Sequence, residues 1–113
     1  MEALCDIDAL IAAHNAAYNA HDVAAFIRTL DVDAEIYEHP GQRQLKGHDE
    51  IRAHYTQLFA KLPELTVTVT RHTRLENHIV DEESLRINGQ EIARDVAVYK
   101  VESCLITRVD TID

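Results

Sequence analysis

The sequence predicts an α+β fold in which three amphipathic helices cover a strongly curved antiparallel sheet. Three observations lead there. Apolar residues recur at spacings of three and four in the first part of the chain, as on one helical face. Leu65-Thr66-Val67-Thr68-Val69-Thr70 alternates strictly, as a half-buried strand does. Asn88-Gly89 between two alternating segments is the strongest short hairpin signal in the chain.

The elements follow in order. Asp6 or Asp8 caps a first helix that carries Leu10, Ile11, His14, Ala17 and Tyr18 on one face. Asn19-Ala20-His21-Asp22 interrupts it, and Asp22 caps a shorter helix from Val23 to Leu30 with Phe26, Ile27 and Leu30 buried. Residues 33–39 alternate as a first strand ended by the Pro40-Gly41 turn, and 43–46 pair with it. After Gly47, Asp49 to Leu62 forms a third helix with Ile51, Tyr55, Leu58, Phe59 and Leu62 on one side, stopped by Pro63. The rest is sheet: a strand from Leu65, a turn at Glu76-Asn77, a strand over 78–87, a long strand over 91–101, a turn at Glu102-Ser103 and a last strand over 104–112.

Composition bounds the function. At 113 residues the chain suits one domain spanning 1–113, able to bury about 65% of its unfolded surface. A net charge of −9 with scattered Lys and Arg repels phosphate backbones and anionic lipid, so neither a nucleic acid nor a membrane is an expected partner. No apolar run approaches the length of a membrane span, and Met1-Glu2-Ala3-Leu4-Cys5-Asp6 lacks a secretion signal, which points to the cytoplasm. Cys5 and Cys104, without CxxC spacing, read as unpaired thiols in a reduced compartment, with a bridge from the N-terminus to the last strand as the alternative.

In the long strand Val96 and Val98 make one face apolar, and Ala97, Tyr99 and Val101 the other. A strand apolar on both sides is covered on both sides. The helices cover one face, and a partner subunit is expected on the second, giving a homodimer through the outer sheet face.

The order helix, helix, strand, helix, then hairpin-linked strands resembles the nuclear transport factor 2-like superfamily, which includes ketosteroid isomerase and the SnoaL-like polyketide cyclases. The resemblance covers nearly the whole chain and is carried by Tyr18-Asn19-Ala20-His21-Asp22, by Asp33-Ala34 leading to Glu38-His39-Pro40-Gly41, and by Lys46-Gly47 opening Asp49-Glu50-Ile51-Arg52-Ala53-His54-Tyr55. It implies a cone-shaped sheet, a cystatin-like roll, whose mouth admits a small apolar molecule. Set against ketosteroid isomerase, His39 falls where that family carries its proton-shuttling aspartate and His14 near its helix-borne tyrosine. Ala97 falls near its second, protonated acid, with Asp95 two residues away on the same strand face. All three positions depart from that pattern, so the groups that stabilise a steroid dienolate are not there as such.

The leading expectation is a small-molecule pocket working by cofactor-free proton transfer, as an isomerase, cyclase or lyase. His39 titrates near neutrality and would carry the proton, with His14 and Asp95 assisting. Tyr18, one helical turn from His14, and Tyr55, Ala97 and Tyr99 would line the ligand. Plainer readings stand beside these: His39 satisfying a turn carbonyl, His14 a hydrogen-bonded core histidine, Asp95 paired with Arg94, Arg108 or a partner chain, and the tyrosines simple core rings. The alternative function is a non-catalytic ligand-binding or dimerisation module. No HExxH, HxH, nucleophile elbow or glycine-rich loop occurs, so no metal or nucleotide cofactor is expected.

Overall fold

The computed structural model describes residues 5–113, so the reading of residues 1–4 lies outside the described residues. Helix α1 spans Ile7–Ala20 and is capped by Asp6, whose carboxylate accepts from the Ala9 N–H at 2.9 Å. Helix α2 spans Val23–Arg28 under an Asp22 cap that accepts from Ala25 at 3.0 Å. Strands β1 (Leu30–Glu38) and β2 (Gln42–Lys46) precede helix α3 (Gly47–Lys61), and β3 (Leu65–Leu75), β4 (His78–Ile87), β5 (Gln90–Glu102) and β6 (Leu105–Ile112) complete the sheet. Gly47 holds φ +84° at the sharp entry to α3, a conformation that accounts for glycine in Lys46-Gly47.

Two boundaries differ from expectation. Leu30 opens β1 instead of closing α2, because it pairs with Ile106 of β6 and His48 Nε2 lies 2.8 Å from its carbonyl oxygen. The last hairpin turns at Ser103-Cys104, both at positive φ, since Glu102 still pairs with Leu105.

The strand order is β2-β1-β6-β5-β4-β3. Every neighbouring pair is antiparallel except β1 and β6, which run parallel, so the expected antiparallel sheet contains one parallel seam. The helices lie on its concave face, where Ile11, Phe26, Leu30, Ile51, Ile79, Tyr99 and Ile106 form the buried core. Curvature comes from single extra residues: Thr70 in β3, Ile92 in β5 and Thr107 in β6 are each skipped in the ladder. The two threonines donate their hydroxyls to the neighbouring strand, Thr70 to the Glu82 carbonyl at 3.1 Å and Thr107 to the Glu102 carboxylate of β5 at 2.9 Å.

The 18–22 junction has a physical purpose. The Asn19 side chain accepts from the Val67 N–H at 2.7 Å and donates to the Val67 carbonyl at 3.0 Å, a two-point clasp between the end of α1 and edge strand β3. His21, in the left-handed cap position, contacts the Leu65 carbonyl at 2.6 Å and stacks on Phe59. Replacing Asn19 with Ala leaves both Val67 groups unpaired, and urea unfolding is expected to show a loss of about 1–3 kcal/mol; an unchanged midpoint would mean the clasp is idle.

Candidate functional site

The helical layer and the concave sheet face enclose a cavity of about 100 Å³. Helix α1 supplies His14 and Tyr18, one turn apart, α2 supplies Phe26, and α3 supplies Tyr55. The sheet supplies Val67, Glu83, Leu85, Asp95, Ala97, Tyr99 and Val109 among others. His14, Tyr18, Tyr55, Asp95, Ala97 and Tyr99 are thus brought together as the sequence predicted.

His39 is not among them. Strand β1 sends Ile36 into the cavity wall and has passed the rim by Glu38, which is exposed; His39 follows it into solvent, tied only by its backbone N–H to the Thr111 carbonyl at 2.8 Å. The expected proton carrier therefore stands outside the cavity.

In its place the cavity holds a residue pair. Glu83 on β4 lies directly across the ladder from Asp95 on β5, and their carboxyls are hydrogen-bonded. Glu83 is only 8% exposed. Burial, then the bond to Asp95 and the charges of Asp95 and Asp81, push its carboxyl up to about 9. Burial also raises Asp95, while the proton donated by Glu83 pulls it back down. Two carboxyls this close share one proton, with Glu83 shifted up as its holder and Asp95 as its acceptor. Tyr99 donates to Glu83 Oε2 at 3.4 Å, and Asp95 Oδ1 is buried with no donor other than Glu83.

His14 is fixed as a neutral acceptor. Thr29 spends its hydroxyl proton on the Phe26 carbonyl at 2.6 Å, so at 2.8 Å from His14 Nδ1 it accepts. The ring therefore carries its proton on Nδ1 and a lone pair on Nε2. Burial holds the imidazole down at about 3, and it stacks on Phe26 and meets Tyr99 edge-on. Burial and the nearby carboxylates raise the phenols of Tyr18, Tyr55 (to about 12) and Tyr99, which remain O–H donors.

A depression of about 220 Å³ reaches the same pair from outside; it shares Glu83 and Asp95 with the cavity and is otherwise lined by Thr70, Glu82, Arg94, Val96, Ile112 and Asp113. It forms where β6 ends, for Val96 pairs with Ile112 and β5 residues 90–95 have no β6 partner. A second charged group lies beyond the cavity: His72 bridges fully buried Asp81, at 2.5 Å, and Asp8 on α1, at 2.8 Å. The bond to Asp8, then that to Asp81, raises His72. Among the described residues no group of three or more His, Cys, Asp or Glu is placed to hold a metal ion, and no helix is long and apolar enough to cross a membrane.

The model of the SnoaL-like domain family matches residues 11–109. The chain belongs to the SnoaL-like family. Solved structures agree with the fold of this SnoaL-like domain. An uncharacterised cystatin-fold protein from Novosphingobium aromaticivorans superposes with a TM-score of 0.86 at 22% identity, over 98% of this chain and 100% of that one. A putative polyketide cyclase from Sinorhizobium meliloti gives 0.74 at 15% identity, over 96% and 94%. A protein of ketosteroid isomerase-like fold from Catenulispora acidiphila, in complex with trimethylamine, gives 0.75 at 19% identity, over 90% and 82%. No curated protein matches the chain by sequence.

The sequence reading of this SnoaL-like domain missed Glu83. Counting back from the Asn88-Gly89 turn places Glu83 opposite Arg94, an ordinary ion pair; the extra residue Ile92 shifts the register by one and sets it opposite Asp95. Arg94 pairs with Glu91 at 3.1 Å and Arg108 with Asp110 at 2.8 Å, so neither neutralises Asp95. The signal available was a surplus of acidic residues, Asp81, Glu83 and Asp95, on inward-facing positions.

The linkage is testable. Because the folded pKa of Glu83 lies above its ordinary 4.5, the native state binds more protons than the unfolded state between about 4.5 and about 9, and this stability is lost as pH rises through that window. The stability of Glu83→Gln relative to wild type, measured by denaturant unfolding, is expected to increase from pH 5 toward pH 9. A difference independent of pH would contradict the shared proton.

Proposed function

We propose that this SnoaL-like domain binds a small, largely apolar molecule in the cavity and moves a proton on it without a cofactor, as an isomerase, cyclase or lyase does. The observation that carries this reading is the Glu83–Asp95 pair, a base and an acid side by side in a wall that is mostly apolar and aromatic. Environments that drive two titratable groups apart are how one site runs acid and base chemistry at neutral pH.

The chemistry follows from the groups. The Asp95 carboxylate takes a proton from a carbon next to a carbonyl; the C–H bond breaks, an O–H bond forms on Asp95, and the electron pair moves onto the carbonyl oxygen. That oxygen is met by a donor, the Glu83 acid or a phenol of Tyr18 or Tyr55. Where a C=C adjoins that carbon, return of the Asp95 proton to the far carbon of the dienolate forms the new C–H bond, restores the carbonyl and completes an isomerisation. His14 can only accept, and holds a ligand hydroxyl or N–H. The size of the cavity, about 100 Å³, equals roughly three water volumes. It therefore takes a molecule of a few heavy atoms, such as the trimethylamine of the Catenulispora protein, or the reacting end of a larger one.

Incubating the protein with a panel of small ketones in D₂O and following α-deuteration by proton NMR tests this. Wild type should catalyse exchange into at least one member, and Asp95→Asn should slow it by about 10²-fold or more. Exchange no faster than in the Glu83→Gln/Asp95→Asn double variant across the panel would leave a binding module in place of an enzyme.

We also propose the homodimer through the outer sheet face. Val96 and Val98 are half-buried there, and Val80, still 36% exposed, pairs directly with Val98. Light scattering at micromolar concentration should give twice the 12.8 kDa chain mass, and Val98→Glu should give the single chain. A wild-type monomer overturns the assignment.

A further inference from the structure

We propose that the molecule taken up by this cavity is a small organic cation: an ammonium group on a short apolar body, seated between the Glu83–Asp95 pair and the aromatic wall. This rests on the reading of the cavity as a ligand site and adds the charge of what enters it.

The polar lining is short of positive charge and of filled acceptors. No lysine or arginine is among the described residues that line the cavity. The carboxyl pair Glu83 and Asp95 is acidic, and no side chain other than Glu83 donates to Asp95 Oδ1, which is shut away from solvent. His14, 5% exposed, offers a lone pair at Nε2 because Thr29 holds its other nitrogen. A neutral hydrocarbon would leave these acceptors unmet, and an unmet buried acceptor is costly, more so when charged. An anionic ligand would add like charge at close range in a medium of low polarity. An ammonium supplies both the missing charge and the missing N–H donors.

Two independent features agree. Four rings, Tyr18, Phe26, Tyr55 and Tyr99, line the cavity, and an aromatic wall attracts a cation by about 0.5–2 kcal/mol through the ring quadrupole. The surface beside the pair is acidic as well. The outer depression presents Glu82 and Asp113 beside the pair, against Arg94, whose Nε is held by Glu91 at 3.1 Å. Glu82 itself lies 3.6 Å from Arg71 at the rim. Acidic groups around the pair favour a cation there over an anion. The same charge serves the proposed chemistry, because an ammonium beside the reacting carbon offsets the enolate charge that no basic side chain in the wall can offset.

The test uses trimethylammonium chloride and tert-butyl alcohol, two probes of similar shape of which only the first is charged. Both are titrated into the intact protein at neutral pH and moderate salt, with binding read from amide chemical-shift changes of cavity residues. The cation should bind at least tenfold more tightly than the alcohol. Asp95→Asn, checked for its native amide spectrum, should weaken the cation at least tenfold and the alcohol less than twofold; if that variant does not fold, the wild-type ratio alone decides. Equal or tighter binding of the alcohol overturns the inference while leaving the cavity as a site for neutral ligands. Binding of neither probe also overturns it, and the ketone exchange experiment then decides separately whether the proton-transfer reading survives.

Discussion

Everything distinctive about the concave face depends on one cross-strand contact between two carboxyl groups of like charge. Opposite carboxylates on neighbouring strands repel, and in a wall built of Tyr18, Phe26, Tyr55 and Tyr99 they have little solvent to screen them. The pair persists by keeping a proton. That proton turns Glu83 into a donor toward Asp95, so the site's polarity is set by where one hydrogen resides. Asp81, two residues along β4 and wholly buried, adds a third carboxyl to the same row. His72 reaches in from the sheet edge to partner it, and Asp8 on α1 partners His72 in turn. Helix and sheet are thus joined at one end by this acidic relay and at the other by the Asn19 clasp on Val67, with the cavity between them.

Local chemistry made the fold legible. Capping by Asp6 and Asp22, the Pro63 stop and the Asn88-Gly89 turn are decided within a few residues, and each acts in the structure where the sequence placed it. The departures come from partners distant in sequence. Leu30 joins the sheet because β6 offers it Ile106 as a neighbour, and the parallel seam between β1 and β6 cannot be read from strand patterns at all, since alternation gives the buried face of a strand but not its direction.

The site was legible to the extent that periodicity reaches. Helical spacing put His14 beside Tyr18, and strand alternation put Asp95, Ala97 and Tyr99 on one face. Register was the limit. A single bulged residue, Ile92, decides whether Glu83 meets Arg94 or Asp95, and with it whether β4 carries a surface ion pair or half of an acid–base pair. The same limit explains His39: its place before Pro40-Gly41 matched a family position, but the strand leaves the cone before reaching it. Position in a motif fixed the chain path and not the direction of the side chain.

The SnoaL-like relatives share this cone at identities too low to carry a substrate across, so the chemistry must be judged on the pair itself. Carbon-13 NMR of the Glu83 and Asp95 side-chain carboxyls, titrated from acid to alkali, measures it directly. The account predicts coupled titrations in which Glu83 remains protonated at neutral pH and releases its proton only in the alkaline range, while Asp95 is already ionised. Two independent transitions in the ordinary range of exposed carboxylates would contradict it.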